Sequence, residues 1–153
     1  YAIDNAHRIK GLGPDSWGMS ASISPTTGYS GQYGSQPIGA GYKLLEDGTV
    51  APYGALSFLP FTPEASISAL KHMYTIPGLV GKYGLYDAYS YATKAKGEQP
   101  WVAKSYLGID KGLVLLMFEN YSTQLIWRLL HQNKFIQKGL KILEFIQVGN
   151  DLK

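Results

Sequence analysis

The sequence predicts a mainly α fold with long irregular loops: a single domain, loop-rich over residues 1–48 and helical over 49–153. Three observations predict it. Apolar residues recur at helical spacing in "TPEASISALKHMY", in "GIDKGLVLLMFENYSTQLIWRLL" and in "NKFIQKGLKILEFI". Between Gly11 and Gly48 stand nine glycines and three prolines with no sustained period, which reads as loop. At 153 residues and 45% apolar, the chain can bury a core. No run reaches the roughly 18 apolar residues that a transmembrane helix needs.

In chain order, the glycine-rich stretch carries Trp17, Tyr29, Tyr33 and Tyr42. Disordered segments are poor in aromatics, so an ordered surface loop is expected, with a short helical turn around "SWGMSAS". "TVAPYGALSFLPF" is broken by Pro52 and Pro60 and allows at most a short helix or a packed extended segment. Over residues 63–75 a helix starts cleanly: Thr62 suits the N-cap, Pro63 the first position and Glu64 the positive end of the dipole. Ile67, Leu70 and Tyr74 share a face, and Pro77–Gly78 stop the helix. "GKYGLYDAYSYA" alternates aromatic with small residues, as an extended segment or β-ribbon does, and "TKAKGEQPW" is a solvated loop. A helix is expected from about Asp110 to His131. Another, from about Lys134 to Ile146, would bury Phe135, Ile136, Leu140, Leu143 and Phe145 against it and end at Gly149–Asn150.

Composition narrows the function classes. The net charge is +3, and Lys134, Lys138, Lys141 and Lys153 crowd the last twenty residues, too sparsely for a nucleic-acid stripe. With no cysteine there is no disulfide or thiolate site. His7, His72 and His131 lack metal spacing, and "GLGPDSWG" has no GK[ST] after it, so no metal, nucleotide or other cofactor is expected. Twelve tyrosines and three tryptophans offer flat apolar faces, with hydroxyls at the tyrosine rims, which suit pyranose rings but equally suit ordinary core edges.

Several residues therefore carry two readings each. Asp110 enters the apolar run Leu113–Phe118 from a glycine-led loop, either capping a helix or facing a site. Glu119 lies nine positions later, about half a turn out of phase and ~13 Å down a helix axis, so it cannot aim at the same point. It is expected to form a structural buried pair with Arg128 or a lysine. Asp87 sits among Tyr83, Tyr86 and Tyr89, either gripping sugar hydroxyls between stacking rings or making an Asx turn. Asp47 precedes Gly48 and reads as a turn. Trp17, Tyr53 and Trp101 are sugar platforms or packing anchors.

"SWGMSAS", "DGTVAPYGALSFLPFTPEASISALKHMY", "GKYGLYDAYS", "WVAKSYLGIDKGLVLLMFENY" and "IWRLL" occur in that order. Together they resemble the C-terminal half of the glycoamylase-like domain of endo-β-1,2-glucanases and cyclic β-1,2-glucan synthases, from about Ser16 to Phe145. The resemblance implies part of an (α/α)6 toroid with a sugar cleft at one end, inverting hydrolysis of a β-glucan, and a periplasmic or secreted location. It tips Asp110 to a catalytic role, as water-activating base or hydroxyl acceptor. Trp17, Tyr53, Tyr83, Asp87, Tyr89, Trp101 and Lys111 would then bind substrate. The family's N-terminal half, with the general acid, is missing here, so the implied partners are a saccharide and that half, or a second copy of the chain. A non-catalytic carbohydrate-binding remnant is the alternative. Lys111 stands where the family tends to have glutamine, and its charge bears on Asp110. Gln124 stands where the family has a small residue.

Overall fold

A computed structural model describes residues 1–34 and 45–146. Helices dominate, and all the strands are two or three residues long. The order is α1 (Ala2–Asn5), β1 (Ser22–Ser24), β2 (Gly28–Ser30), β3 (Thr49–Val50), α2 (Pro52–Leu56), α3 (Pro63–Thr75), β4 (Val80–Gly81), β5 (Gly84–Leu85), β6 (Ala88–Ser90), β7 (Trp101–Ala103), α4 (Gly108–Thr123), α5 (Leu125–His131) and α6 (Lys134–Ile142). The chain divides into two units, Tyr1–Phe118 and Glu119–Lys153.

In the first unit β6 is the middle of an antiparallel sheet β3–β6–β7, with Tyr89 opposite both Val50 and Val102. All three β6 residues are buried, since both of its edges are paired. The core gathers Val50, Ala55, Ala69, Met73, Leu79 and Tyr89. "GKYGLYDAYS" thus supplies the β4–β5 hairpin and β6, the extended structure its alternation predicts. Asp47 makes the expected turn: its Oδ1 accepts from Thr49 N at 3.0 Å and Gly48 adopts φ +75°.

Helix α3 has the predicted bounds but a different inner face. Ser66, Ala69 and Met73 are buried, while Ile67 and Tyr74 are exposed. Small residues win the inner stripe because α2 passes close by, with Ser66 Oγ donating to Ala55 O at 3.0 Å. Thr62 does not act as a side-chain cap; its hydroxyl donates back to Phe58 O. No helical turn forms at "SWGMSAS". Residues 17–20 run without helix beside α2, with Ala51 N donating to Gly18 O at 3.0 Å, and lead into β1.

The expected helix Asp110–His131 is two helices. Gln124 has φ +58°, the left-handed region, and separates α4 from α5. Thr123 Oγ1 accepts from Leu125 N and Asn120 Oδ1 from Trp127 N, satisfying two amides at the break. Glu119 forms no salt bridge with Arg128 among the described residues; it takes the Thr123 hydroxyl at 2.6 Å. The apolar run Leu113–Phe118 is largely unburied: Leu115 is 71% exposed, and Leu113, Leu116 and Phe118 are exposed too. In the second unit α6 begins at an Asn133 cap and ends at Ile142 rather than Ile146. Phe135, Ile136, Leu143 and Phe145, predicted to be buried, face solvent, and Leu140 is half-buried. Tyr42 and the Gly149–Asn150 stop lie outside the described residues.

Candidate active site

The site is built around close backbone contacts that only glycine allows. A Cβ on Gly54 would stand 2.8 Å from Gly18 O, and one on Gly18, at φ +116°, would stand 2.7 Å from Ala55 N. This lets the Trp17–Ala21 segment lie against the start of α2. There the Tyr53 hydroxyl sits 2.8 Å from Ser20 Oγ and 2.9 Å from Ala21 O. The segment continues into β1, whose Ile23 N donates to Asp87 Oδ2 at 2.7 Å. Asp87 is thus gripped from 64 residues away rather than by an Asx turn. Its own N–H donates to Ser105 O at 3.0 Å.

Asp110 is the third residue of α4 and does not cap it. It is 7% exposed and Asp87 is 5% exposed, and both line one cavity of about 340 Å³. Pro52 and Tyr53 of α2, Leu70 and Tyr74 of α3, and Tyr86 and Lys111 also line it. The two carboxyl groups are in hydrogen-bond contact, yet Asp87 Oδ1 and Asp110 Oδ2 are sealed from solvent and meet no donor. Two ionised carboxylates there would repel and leave both oxygens orphaned; one proton between them removes both costs. Burial first, then contact with Asp87, pushes the Asp110 carboxyl up to about 7, against the opposing charge of Lys111. Tyr53 is raised too, chiefly by burial, with the charges of Asp110 and Asp87 adding to it.

Lys111 Nζ donates to Leu85 O and lies 5.5 Å from the centre of the Tyr106 ring. Tyr106 stacks on Tyr86 at 4.9 Å and meets Tyr83 edge-on at 5.4 Å. This aromatic group requires Gly81, because a Cβ there would collide with the Tyr86 and Tyr106 rims. Tyr83 is 67% exposed, in the β4–β5 turn, and does not line the cavity.

The structure thus brings Asp110, Asp87, Lys111 and Tyr53 together at one cavity. Trp17 borders a second hollow of about 630 Å³, also lined by Tyr53, Met19, Phe58 and Leu113. Two predicted platforms go elsewhere. Tyr89 is a core residue, 1% exposed, with its hydroxyl 2.8 Å from Ser16 Oγ. Trp101 is half-buried in β7, opposite Ser90, and lines neither hollow. Tyr74 and Tyr106 were missed. Tyr74 has a signal, its helical spacing four residues after Leu70, whereas the Ile23 amide has none, because a backbone donor carries no residue type.

The family model Glycoamylase, described as "Putative glucoamylase", matches residues 1–134. An exo β-1,2-glucooligosaccharide sophorohydrolase (non-reducing end) from Parabacteroides distasonis is 34% identical over 150 residues, covering 96% of this chain and 19% of that protein. A solved endo-β-1,2-glucanase from Chitinophaga pinensis, in complex with sophorotriose and glucose, superimposes with a TM-score of 0.73 at 37% identity. That match covers 92% of this chain and 31% of the other. A β-1,2-glucanase structure from Parabacteroides distasonis gives 0.74 at 34% identity, covering 95% and 19%. The chain therefore spans about a fifth to a third of the proteins it matches. By the extent of the family match, the chain belongs to the glycoamylase family.

Proposed function

We propose that the chain is the base-side portion of a β-glucan hydrolase that inverts the anomeric carbon, with a β-1,2-linked glucan as substrate. The observation that carries the reading is the Asp87–Asp110 pair, nine-tenths buried and short of donors, in a cavity edged by tyrosines. A carboxylate held there without a full complement of donors is a strong acceptor for a water proton or a sugar hydroxyl. In the reaction a water oxygen bonds to the anomeric carbon as the glycosidic C–O bond breaks. The water's proton goes to the ionised member of the pair, and the leaving oxygen takes a proton from a second acid. Inversion places acid and base roughly 6.5–9.5 Å apart. Asp87 and Asp110 lie within side-chain hydrogen-bonding reach of each other, too close to be opposing acid and base, so together they fill one role and the other carboxyl comes from outside this cavity's described lining. The names of the relatives and the fraction of their length matched here support a ring completed by further chain, in the manner of an (α/α)6 toroid.

A second reading, carbohydrate binding without turnover, is favoured by that same shortage of an opposing acid. The test is to incubate the purified chain with β-1,2-glucan, measure new reducing ends, and follow the product anomer by proton NMR. New ends with the α-anomer formed first support the hydrolase. Calorimetric binding of β-1,2-glucooligosaccharides without new ends supports the binding module. Neither binding nor turnover, by this chain and by the chain joined to the rest of the ring, removes both.

A further inference from the structure

Lys111 is the one cation among the described residues lining the cavity. Its stem rises from α4 directly after Asp110, and its ammonium is held in two ways, by the Leu85 carbonyl and by the face of Tyr106. A half-buried lysine loses rotamer freedom and hydration, so holding it there needs compensation. The compensation is electrostatic: burial pulls its pKa down, while Tyr106, Asp110 and Asp87 push it back. The other titratable groups lining the cavity are phenols, Tyr53 from α2, Tyr74 from α3 and Tyr86 after β5, and Tyr106 after β7 stands beside the ammonium.

We infer that Lys111 is a positioning residue, the fixed counter-ion that keeps one member of the Asp87–Asp110 pair ionised and so holds the pair at a single proton. Without it, Asp110 would be a desolvated carboxyl beside Asp87 with no cation near it among the described residues, and would hold its proton to higher pH. With it, the cavity floor is neutral overall: one carboxylate, one carboxylic acid and one ammonium. Such a floor suits an uncharged sugar while leaving one carboxylate able to accept a proton. The inference uses the pair's geometry and adds a role to the base proposed above.

The chain labelled with [γ-¹³C]aspartate contains six aspartates, so carboxyl NMR can follow each titration, with Asp110→Asn and Asp87→Asn assigning the pair. Lys111→Gln is expected to raise the midpoint of the Asp110 resonance by roughly one pH unit, and Lys111→Arg, which keeps the charge, to leave it near the wild-type value. An unchanged or lowered midpoint in Lys111→Gln overturns the inference. Should that variant fail to fold, ¹⁵Nζ-lysine NMR of the wild-type chain decides. Lys111 must stay protonated through the Asp110 midpoint, and deprotonation below it overturns the inference. Hydrolysis is a separate readout. If the acid limb of the rate profile moves with the NMR midpoint, both proposals stand. If the midpoint moves while turnover by the chain joined to the rest of the ring does not follow it, the counter-ion role stands and the hydrolase reading falls.

Discussion

At the scale of single residues, the acid pair makes a testable link between stability and pH. Asp110 is pushed from its ordinary 3.8 to about 7 in the folded chain. Below about 3.8 it is protonated folded and unfolded, and the folded state carries no charge penalty. As pH rises from there to about 7, the unfolded chain releases the proton first, so stability is lost across that window and stays low above it. Asp110→Asn removes the penalty and offers an amide donor beside Asp87 Oδ1. The variant is expected to match wild type in urea denaturation near pH 4, and to be more stable at pH 8 by at most about 4 kcal/mol, the limit set by the shift at about 1.4 kcal/mol per pKa unit. It should at the same time abolish reducing-end release. Equal wild-type and variant stabilities at both pH values would show that the carboxyl is not strained. The sequence singled out Asp110 and Asp87 separately, one as a helix-mouth acid and one among tyrosines. Their meeting depends on Ile23 N and on the Gly18–Gly54 approach, neither of which has a local pattern. Gly81 offers a parallel test: Gly81→Ala should separate Tyr86 from Tyr106 and weaken saccharide binding roughly tenfold, about the 1.4 kcal/mol that a stacking contact contributes.

At the scale of elements, propensity and punctuation located α3 to the residue, because Pro63 and the Pro77–Gly78 stop act within one turn of the chain. The inner face escaped for a tertiary reason. Size, not hydropathy, decided which stripe of α3 could approach α2, so Ser66 and Ala69 went inside, and Leu70 and Tyr74 were left to line the cavity. The break at Gln124 escaped for the opposite reason: nothing in "NYSTQLIW" is a breaker. A non-glycine residue in the left-handed region costs about 1 kcal/mol relative to glycine. Gln124→Gly is accordingly expected to stabilise the chain by about 0.5–1 kcal/mol in urea denaturation, since the required φ is already positive. If the helix were instead prone to continue straight through, the glycine would destabilise by about the same amount. The sign alone decides.

At the scale of the molecule, the described surface is unusually apolar in particular places. On α4, Ile109 is 78% and Leu116 46% exposed. On α6, Phe135 and Ile142 are 72% and 69% exposed, about a quarter turn round the helix from Lys134, Lys138 and Lys141. Isolated exposed leucines are ordinary, but consecutive turns of them are a liability in water unless covered. Helical periodicity predicted these faces correctly as apolar; what it could not say is whether this chain supplies the cover, because periodicity records a demand for burial and not its partner. The chain spans only 19–31% of the length of the matched proteins. Alone at micromolar concentration, the chain is therefore expected to bind ANS strongly and to sediment as a concentration-dependent mixture of monomer and larger species. Replacing Ile109 and Leu116 by glutamine should reduce both signals, and so should Phe135→Lys with Ile142→Lys, since each pair removes apolar surface without touching the acid pair or the core. A monodisperse monomer at every concentration, with no ANS enhancement, would mean that the exposed faces are satisfied within the chain, and the idea of a ring completed by other polypeptide would fail with it.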